Sequence, residues 1–407
     1  MEGKQIARNE IDSLFENLNK NQISYCVLRG YLSDSDFYEG TDIDIFLDKK
    51  DRKMFEKLLF SLGYKTPRIN DNIYPHKQYF KLIPGKLLKL DVVTSIRFGS
   101  DLMKLGRPIN LEKDSMEYKN IRVLNPEISF RLFLLHLILD KQMVLSKHNV
   151  ERLETFKSIA GATEENKTLL EILSKRMDLN KSKHLLIEKC FIKKGHGLCF
   201  HRLKRRINYY RFRLNKKKRN KKICFLGIDG SGKSSSLKVI LDSFDGRLVS
   251  KYMGFHSMET KWGKKYLSKE KISPKIKRFF YIRREMLYRL KNIENNEYRP
   301  ILLDRYPWEA TLNNRGKYKI IYWFLFNIFF PRPKLGFYFY CDEETSLKRK
   351  DDIENIDLFR ANKKKADSKY LKKKRIIPVN TDKCSYDDIL LIFCNVMMKT
   401  NLYELMI

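Results

Sequence analysis

Two stretches of this 407-residue chain carry residue types at spacings that can do chemistry. In FLGIDGSGKSSSLKVI, Phe225 to Ile240, Gly227, Gly232, Lys233 and Ser234 fall in the order G-x-x-x-x-G-K-S. This is a P-loop pattern: a glycine-rich turn after a strand wraps backbone N–H groups around phosphate oxygens, and the following helix adds the positive end of its dipole. Gly227, Gly230 and Gly232 permit the wrap, with Ser231 inside it. Lys233 is expected to reach the β and γ phosphates of ATP, the Ser234 hydroxyl to ligate Mg²⁺, and Ser235 to follow in the first helical turn. In the second stretch, Asp42 and Asp44 stand two apart in DIDIFLD, a spacing that puts both carboxylates on one face of a strand. Asp91, in LLKLDVV, is a third acid among apolar neighbours, costly to bury unless paired or metal-bound. Three carboxylates suit two Mg²⁺ ions.

The elements that must position these residues separate into regions. Over residues 1–125, β-like runs (ISYCVLRG, DIDIFLD, and YFKLI turning at Pro84-Gly85 into LLKLDVV) alternate with the amphipathic DRKMFEKLLFSLGY, which predicts a small α+β domain. Over 126–204 Leu and Ile recur at helical spacing, as at Phe133, Leu134, Leu137 and Ile138, and the region reads as a helical module completing that domain. The run Arg202 to Lys222, basic with interleaved Tyr209, Tyr210 and Phe212, predicts a linker over 205–222. From 223 to 407 strands alternate with helices (ICFL, SSLKVILDSF, RLVSKYM, YIRREMLYRL, ILL, GFYFY, RIIPV), the pattern of a doubly wound, mostly parallel sheet. The fold class expected is therefore multidomain α/β.

Composition narrows the partners. With 83 Lys plus Arg against 49 Asp plus Glu the formal charge is +34, which favours polyanions such as nucleotides, nucleic acid or an acidic membrane face. A chain 43% hydrophobic has ample core material and is not a disordered one. The seven cysteines form no C-x-x-C pair, so buried reduced thiols and a cytoplasmic protein are expected. MEGKQIARNEIDSLFENL has no signal-peptide core, and IIYWFLFNIFF, Ile320 to Phe330, is too short to cross a bilayer as a helix.

GIDGSGKSS, together with ILLDRYPWEA at Ile301 to Ala310 and the later CDEETSLKRK, resembles the thymidylate kinase-like branch of P-loop nucleoside monophosphate kinases. The resemblance covers about 180 residues and implies ATP and Mg²⁺ as cofactors. It implies that Asp304 and Arg305 are the family's Asp-Arg pair, with the arginine on phosphate, and that Asp229 is the carboxylate that meets the acceptor sugar hydroxyl. It also implies that Arg349 is the arginine before a basic lid, whose candidates are Arg360 and Lys363 to Lys365. Two segments depart from thymidylate kinases proper: VSKYMGFHSMETK and YPWEATLNNRG replace the segments that engage the acceptor nucleotide. The acceptor implied is then a sugar, polyol or related metabolite, of the kind used in surface-polysaccharide biosynthesis, with Gly254 and His256 beside Asp229 in the rewritten pocket.

The order G…G-T-D-I-D…L-D-V resembles the nucleotidyltransferase superfamily that includes DNA polymerase β, over roughly the first 100 residues. That resemblance assigns Gly30 to the turn before the acids, and Asp42, Asp44 and Asp91 to two metals that activate a hydroxyl and steady pyrophosphate. Tyr31 follows Gly30 where the family has a small residue. The first reading is a bifunctional transferase, a kinase fused to a nucleotidyltransferase, with nucleotide and small-molecule or glycan substrates and an oligomeric state left open, a dimer included. One alternative is a nucleotidyltransferase acting on RNA or protein, its P-loop domain a regulator and its basic linker an RNA contact. Another is a non-catalytic nucleotide sensor at the inner face of the membrane, with Ile320 to Phe330 lying in the interface beside Lys317, Lys319, Arg332 and Lys334.

Overall fold

The computed structural model describes residues 2–29, 42–67, 76–99, 103–160, 163–193, 221–244, 246–254, 258–261, 264, 275–296, 299–309, 332–350 and 355–406. Gly30, His256, most of the basic run 202–222 and the apolar run 320–330 lie outside the described residues. The chain divides into two compact units, Met1–Ile83 with Leu87–Arg213, and Pro84–Lys86 with Leu214–Ile407.

The first unit opens on a helix not anticipated from the sequence, α1 (Glu2–Lys20), whose Ala7, Ile11, Leu14, Phe15 and Leu18 make one buried stripe. Strands β1 (Tyr25–Val27) and β2 (Asp42–Leu47), helix α2 (Arg52–Ser61), and strands β3 (His76–Ile83) and β4 (Lys86–Val93) follow. The alternation in β2 decides what each face does. Ile43, Ile45 and Leu47 join α1 and the α2 residues Phe55 and Leu59 in one core. Asp42, Asp44 and Phe46 point the other way, and Phe46 packs at the edge of a second core. After β5 (Arg97–Phe98), β6 (Met103–Leu105), the single turn α3 (Leu111–Asp114), β7 (Ser115–Tyr118) and β8 (Ile121–Leu124), the larger sheet runs β3-β4-β2-β1-β8-β7. β2 and β4 are parallel with Asp44 directly opposite Asp91.

The second core is built around α4 (Pro126–Leu139), which starts on Pro126 in the first turn and is apolar almost all round. α5 (Lys147–Ala160), α6 (Glu164–Ser174) and α7 (Leu179–Glu188) contribute to it through Phe156, Leu169, Ile172 and Leu186, with Phe130 stacked on Phe156 at 5.4 Å. The region expected to be helical throughout also yields β9 (Ile192–Lys193), which pairs with β6 in a three-stranded sheet. Two residues are too few to carry a period-2 signal, so only tertiary pairing reveals it.

In the second unit β10 (Lys222–Leu226) is buried at every position, and it is paired in parallel with β12 (Ile301–Asp304) on one side and β13 (Leu335–Tyr340) on the other. A continuous apolar run such as ICFL is what a parallel strand covered on both faces requires. With β11 (Val249–Tyr252) and β14 (Ile376–Asn380) at the edges the order is β11-β12-β10-β13-β14, and every neighbouring pair is parallel. Phe225 lies against Phe337 and Phe339, each at 5.4 Å between ring centres. The helices are α8 (Lys233–Ser243), α9 (Lys275–Asn296), α10 (Glu343–Lys348), α11 (Ile356–Tyr370) and α12 (Tyr386–Lys399). A capping box, Ser385 with Asp388, starts the last.

Among the described residues no helix is long and apolar enough to cross a membrane. Their six cysteines are unpaired: Cys26, Cys224, Cys341 and Cys394 are buried, while Cys190 is exposed. Burial pushes the Cys26 and Cys394 thiols up to about 12, so neither supplies thiolate at neutral pH. Iodoacetamide at pH 7.5 is expected to modify Cys190 in the native chain and to reach Cys26 and Cys394 only in urea, as read by peptide mass.

Candidate active site

The order of the second sheet reverses at β10, and the loop leaving its carboxyl end, residues 227–232, opens there into a cleft of about 640 Å³. Residues 228–236 line one wall, and Arg305, Arg349, Lys350, Thr381 and Tyr386 are among those lining the rest. The loop needs its glycines. Gly230 has φ +76°, and a Cβ there would run into the Ser346 carbonyl; Gly232, at φ +77°, is the N-cap of α8. The N–H groups of residues 233–235 are first-turn donors with no intrahelical acceptor, as an anion site requires. Ser234 and Ser235 are exposed to the cleft, whereas the Ser231 hydroxyl is buried without a partner.

The structure brings Lys233, Asp304, Arg305 and Asp229 together. Buried Lys233 places Nζ 2.5 Å from Asp304 Oδ1 at the end of β12. Arg305 donates to Asp229 Oδ1 at 2.5 Å and to Glu309 Oε2 at 3.4 Å, while the other oxygen of Glu309 accepts the Gly227 N–H at 3.1 Å. Lys350 reaches Asp229 Oδ2 at 3.3 Å. Arg305 itself sits at φ +69°, a conformation that favours glycine.

These contacts set the charges. Burial drives the Asp229 carboxyl upward, but Arg305 and Lys350 more than offset it, so its pKa falls below the ordinary carboxylate value. At Glu309 burial wins over Arg305 and Lys233, and the pKa rises. Two carboxylates that share one arginine are thus pushed in opposite directions.

Other predicted residues land differently. Arg349 lines the cleft, donating to the Thr381 hydroxyl at 3.0 Å and carbonyl at 3.3 Å. Arg360 is not among the residues lining the cleft. It lies in the second turn of α11, where Glu343 Oε1 at 2.5 Å and Asp357 at 3.9 Å hold it, while Lys350, next to Arg349, does line the cleft. Lys363 is paired with Asp367 at 2.8 Å. The Gly254 carbonyl accepts from Arg289 at 3.2 Å, as does that of Tyr252.

Sequence reasoning missed Glu309, Lys350 and the pair behind Gly254. Arg289 and Glu285, both fully buried on α9, meet at 2.7 Å, and Glu285 also takes the N–H groups of Glu259 and Thr260. Their i,i+4 spacing in REMLYR was readable as a helical ion pair; its burial was not.

In the first unit Asp42, Asp44 and Asp91 share one face, and cations hold all three. Lys89 lies 2.8 Å from Asp42 and 2.9 Å from Asp91, Arg29 lies 2.5 Å from Asp44, and His76 Nε2 lies 3.3 Å from Asp91. Among the described residues no three metal-capable side chains gather into a set. Burial raises the Asp91 pKa, but His76 and Lys89 overcome it and lower it to about 2.

The second unit is therefore a P-loop domain, with its phosphate loop at the switch point of a parallel sheet. Residues 225–384 match the family model described as thymidylate kinase, so the unit is thymidylate kinase-like. Among solved structures, thymidylate kinase from Candida albicans is 19% identical over 46% of this chain and 94% of its own, with a TM-score of 0.34. Deoxyadenosine kinase from M. mycoides, solved with bound dATP, is 16% identical over 43% of this chain and 98% of its own, with a TM-score of 0.33. Comparison with curated proteins finds no match.

Two outcomes follow. Arg289→Met leaves Glu285 buried with two backbone N–H groups but no counter-charge, and is expected to lower unfolding free energy by about 3 kcal/mol in urea titrations. Because its pKa is depressed, Asp229 stabilises the fold fully above the ordinary carboxylate value and loses that contribution as pH falls through the depressed one. Asp229→Asn should flatten this part of the acid limb in stability measured against pH.

Proposed function

We propose that the second unit is an ATP- and Mg²⁺-dependent kinase whose acceptor is a sugar, polyol or related metabolite rather than thymidylate. The observation that carries this reading is the meeting of Lys233, Asp304, Arg305 and Asp229 at one end of the glycine loop. The residues fit the group. Gly230 leaves no room for a side chain, the residues of the first helical turn line the cleft, and Ser234 offers a hydroxyl for Mg²⁺, with Asp304 held by Lys233. When bound, Mg²⁺ with ATP supplies the transferable phosphoryl group. The chain's own residues position and neutralise: Lys233 and the loop amides hold phosphate oxygens, and Arg305 and Lys350 offset negative charge. Asp229, kept ionised, accepts a hydrogen bond from an acceptor hydroxyl. Arg349, Cys384 and Tyr386 lie along the wall that a purine base would meet.

Support for a changed acceptor comes from the segment after β11. Arg289 ties down the carbonyls of Tyr252 and Gly254, and that segment lacks the residues a thymidylate pocket uses. The test is γ-phosphate transfer from ATP with Mg²⁺ to a panel of nucleoside monophosphates, sugars and polyols. Transfer to a sugar or polyol, reduced at least a hundredfold by Lys233→Ala, is expected; transfer to dTMP alone would sink the acceptor assignment. Cys384, half-buried in the cleft, should be alkylated more slowly when ADP is present, and equal rates would argue against nucleotide in this wall.

The register of Asp44 opposite Asp91 favours a second reading, nucleotidyl transfer by the first unit. The acids as arranged do not fit a metal pair, since Lys89, Arg29 and His76 engage them. Manganese bound by the full chain and lost in Asp91→Asn would support this reading, and no binding would remove it.

A further inference from the structure

The first unit contains a second concavity, of about 1070 Å³, along the acid-bearing face of β2 and beyond it. Phe46, two residues past Asp44 and on the same side of the strand, lies in its lining. Six cations border it: Lys49 and Lys50 from the turn after β2, Lys104 from β6, Arg107 and Lys113 from the segment around α3, and Arg122 from β8. Against them stand two carboxylates, Asp48 and Glu112. Asp48 is 3.7 Å from Lys50, and Arg107 pairs with Asp114 at 3.2 Å. Lys49, Lys104, Lys113 and Arg122 have no carboxylate partner among the described residues, so their charge faces the cleft. The rest of the lining is of a different kind. Ile96, Ile109 and Leu111 are half-buried at the margin of the α4 core and leave apolar surface open there.

Unpaired cations from separate segments converge a field on one concavity, and this attracts phosphate more strongly than scattered surface lysines do. An apolar floor does nothing for inorganic phosphate but is what an uncharged ring requires. The size is at the upper end for small-molecule sites. Single-stranded nucleic acid would call for a row of stacking rings, and Phe46 is the one aromatic residue in the described lining.

We propose that this cleft is a binding site for a phosphorylated small molecule of the nucleoside-diphosphate class, its phosphates held between the two basic lips and its ring over Ile96 and Ile109. The site belongs wholly to the first unit and does not depend on the kinase reading. It gives that unit a ligand of its own.

The probe is UDP, titrated calorimetrically into the full chain carrying Lys233→Ala, so that the P-loop contributes little. Uridine, pyrophosphate and a twelve-residue oligouridine run in parallel. UDP is expected to bind at least tenfold more tightly than uridine and several-fold more tightly than pyrophosphate. Lys104→Glu combined with Lys113→Glu, both exposed positions, should weaken UDP at least tenfold with the thermal midpoint unchanged. Methyl resonances of Ile96 and Ile109 should shift with UDP, a readout that needs no variant. UDP no better than pyrophosphate, binding indifferent to the charge reversals, or oligouridine binding more tightly than UDP would each overturn the proposal.

Discussion

The strand Lys222–Leu226 lies buried between two parallel neighbours, and that burial fixes where the chain leaves the sheet. Because β12 lies on one side and β13 on the other, connections diverge at the carboxyl end of β10 and leave a crevice. The glycine loop fills the crevice and α8 starts from it, so Lys233 meets the last residue of β12. Register does the rest: Phe225 is opposite Asp304, which sets Arg305 over the loop. A slip of one residue would turn Asp304 into the opposite face and leave Lys233 buried without its counter-charge.

Polar residues in both units follow one rule, that a charge taken from water is kept only where another answers it. In the second unit the rule produces asymmetry, with Asp229 held ionised and Glu309 pushed toward the neutral form by its burial. In the first, Asp44 stands opposite Asp91 and each is answered from elsewhere, Asp44 by Arg29 and Asp91 by Lys89, which also reaches Asp42.

Much of this was legible in the sequence, for reasons that can be named. The parallel strands and the glycine loop with Lys233 rest on local patterns of apolar runs and fixed spacings, which sequence carries directly, whereas Asp304, Arg305 and Asp229 entered through the resemblance and their meeting comes from the structure alone. What escaped depends on distance in the chain. Lys350 comes to Asp229 from 121 positions away, 350 less 229, and nothing local marks it among neighbouring cations. Arg360 stands in a basic stretch that composition alone cannot orient, and the start of α11 is what aims it at Glu343. Glu309 sits in a single 3₁₀ turn, too short for any periodicity to announce that its carboxylate folds back on the Gly227 amide. Helix α1 was overlooked although its apolar stripe is regular, because its polar residues dominate the composition there.

The backbone of Arg305 has one more consequence. A non-glycine residue at φ +69° carries a strain of about 1–3 kcal/mol, and it is sustained here because the guanidinium is answered by Asp229 and Glu309. Glycine or asparagine would suit the main chain better and would take the guanidinium away from Asp229 and Glu309. The main chain and the ion pairs therefore pull this single position in contrary directions. A substitution here that eases the main chain would do so only by leaving two carboxylates, Asp229 and Glu309, to find another counter-charge.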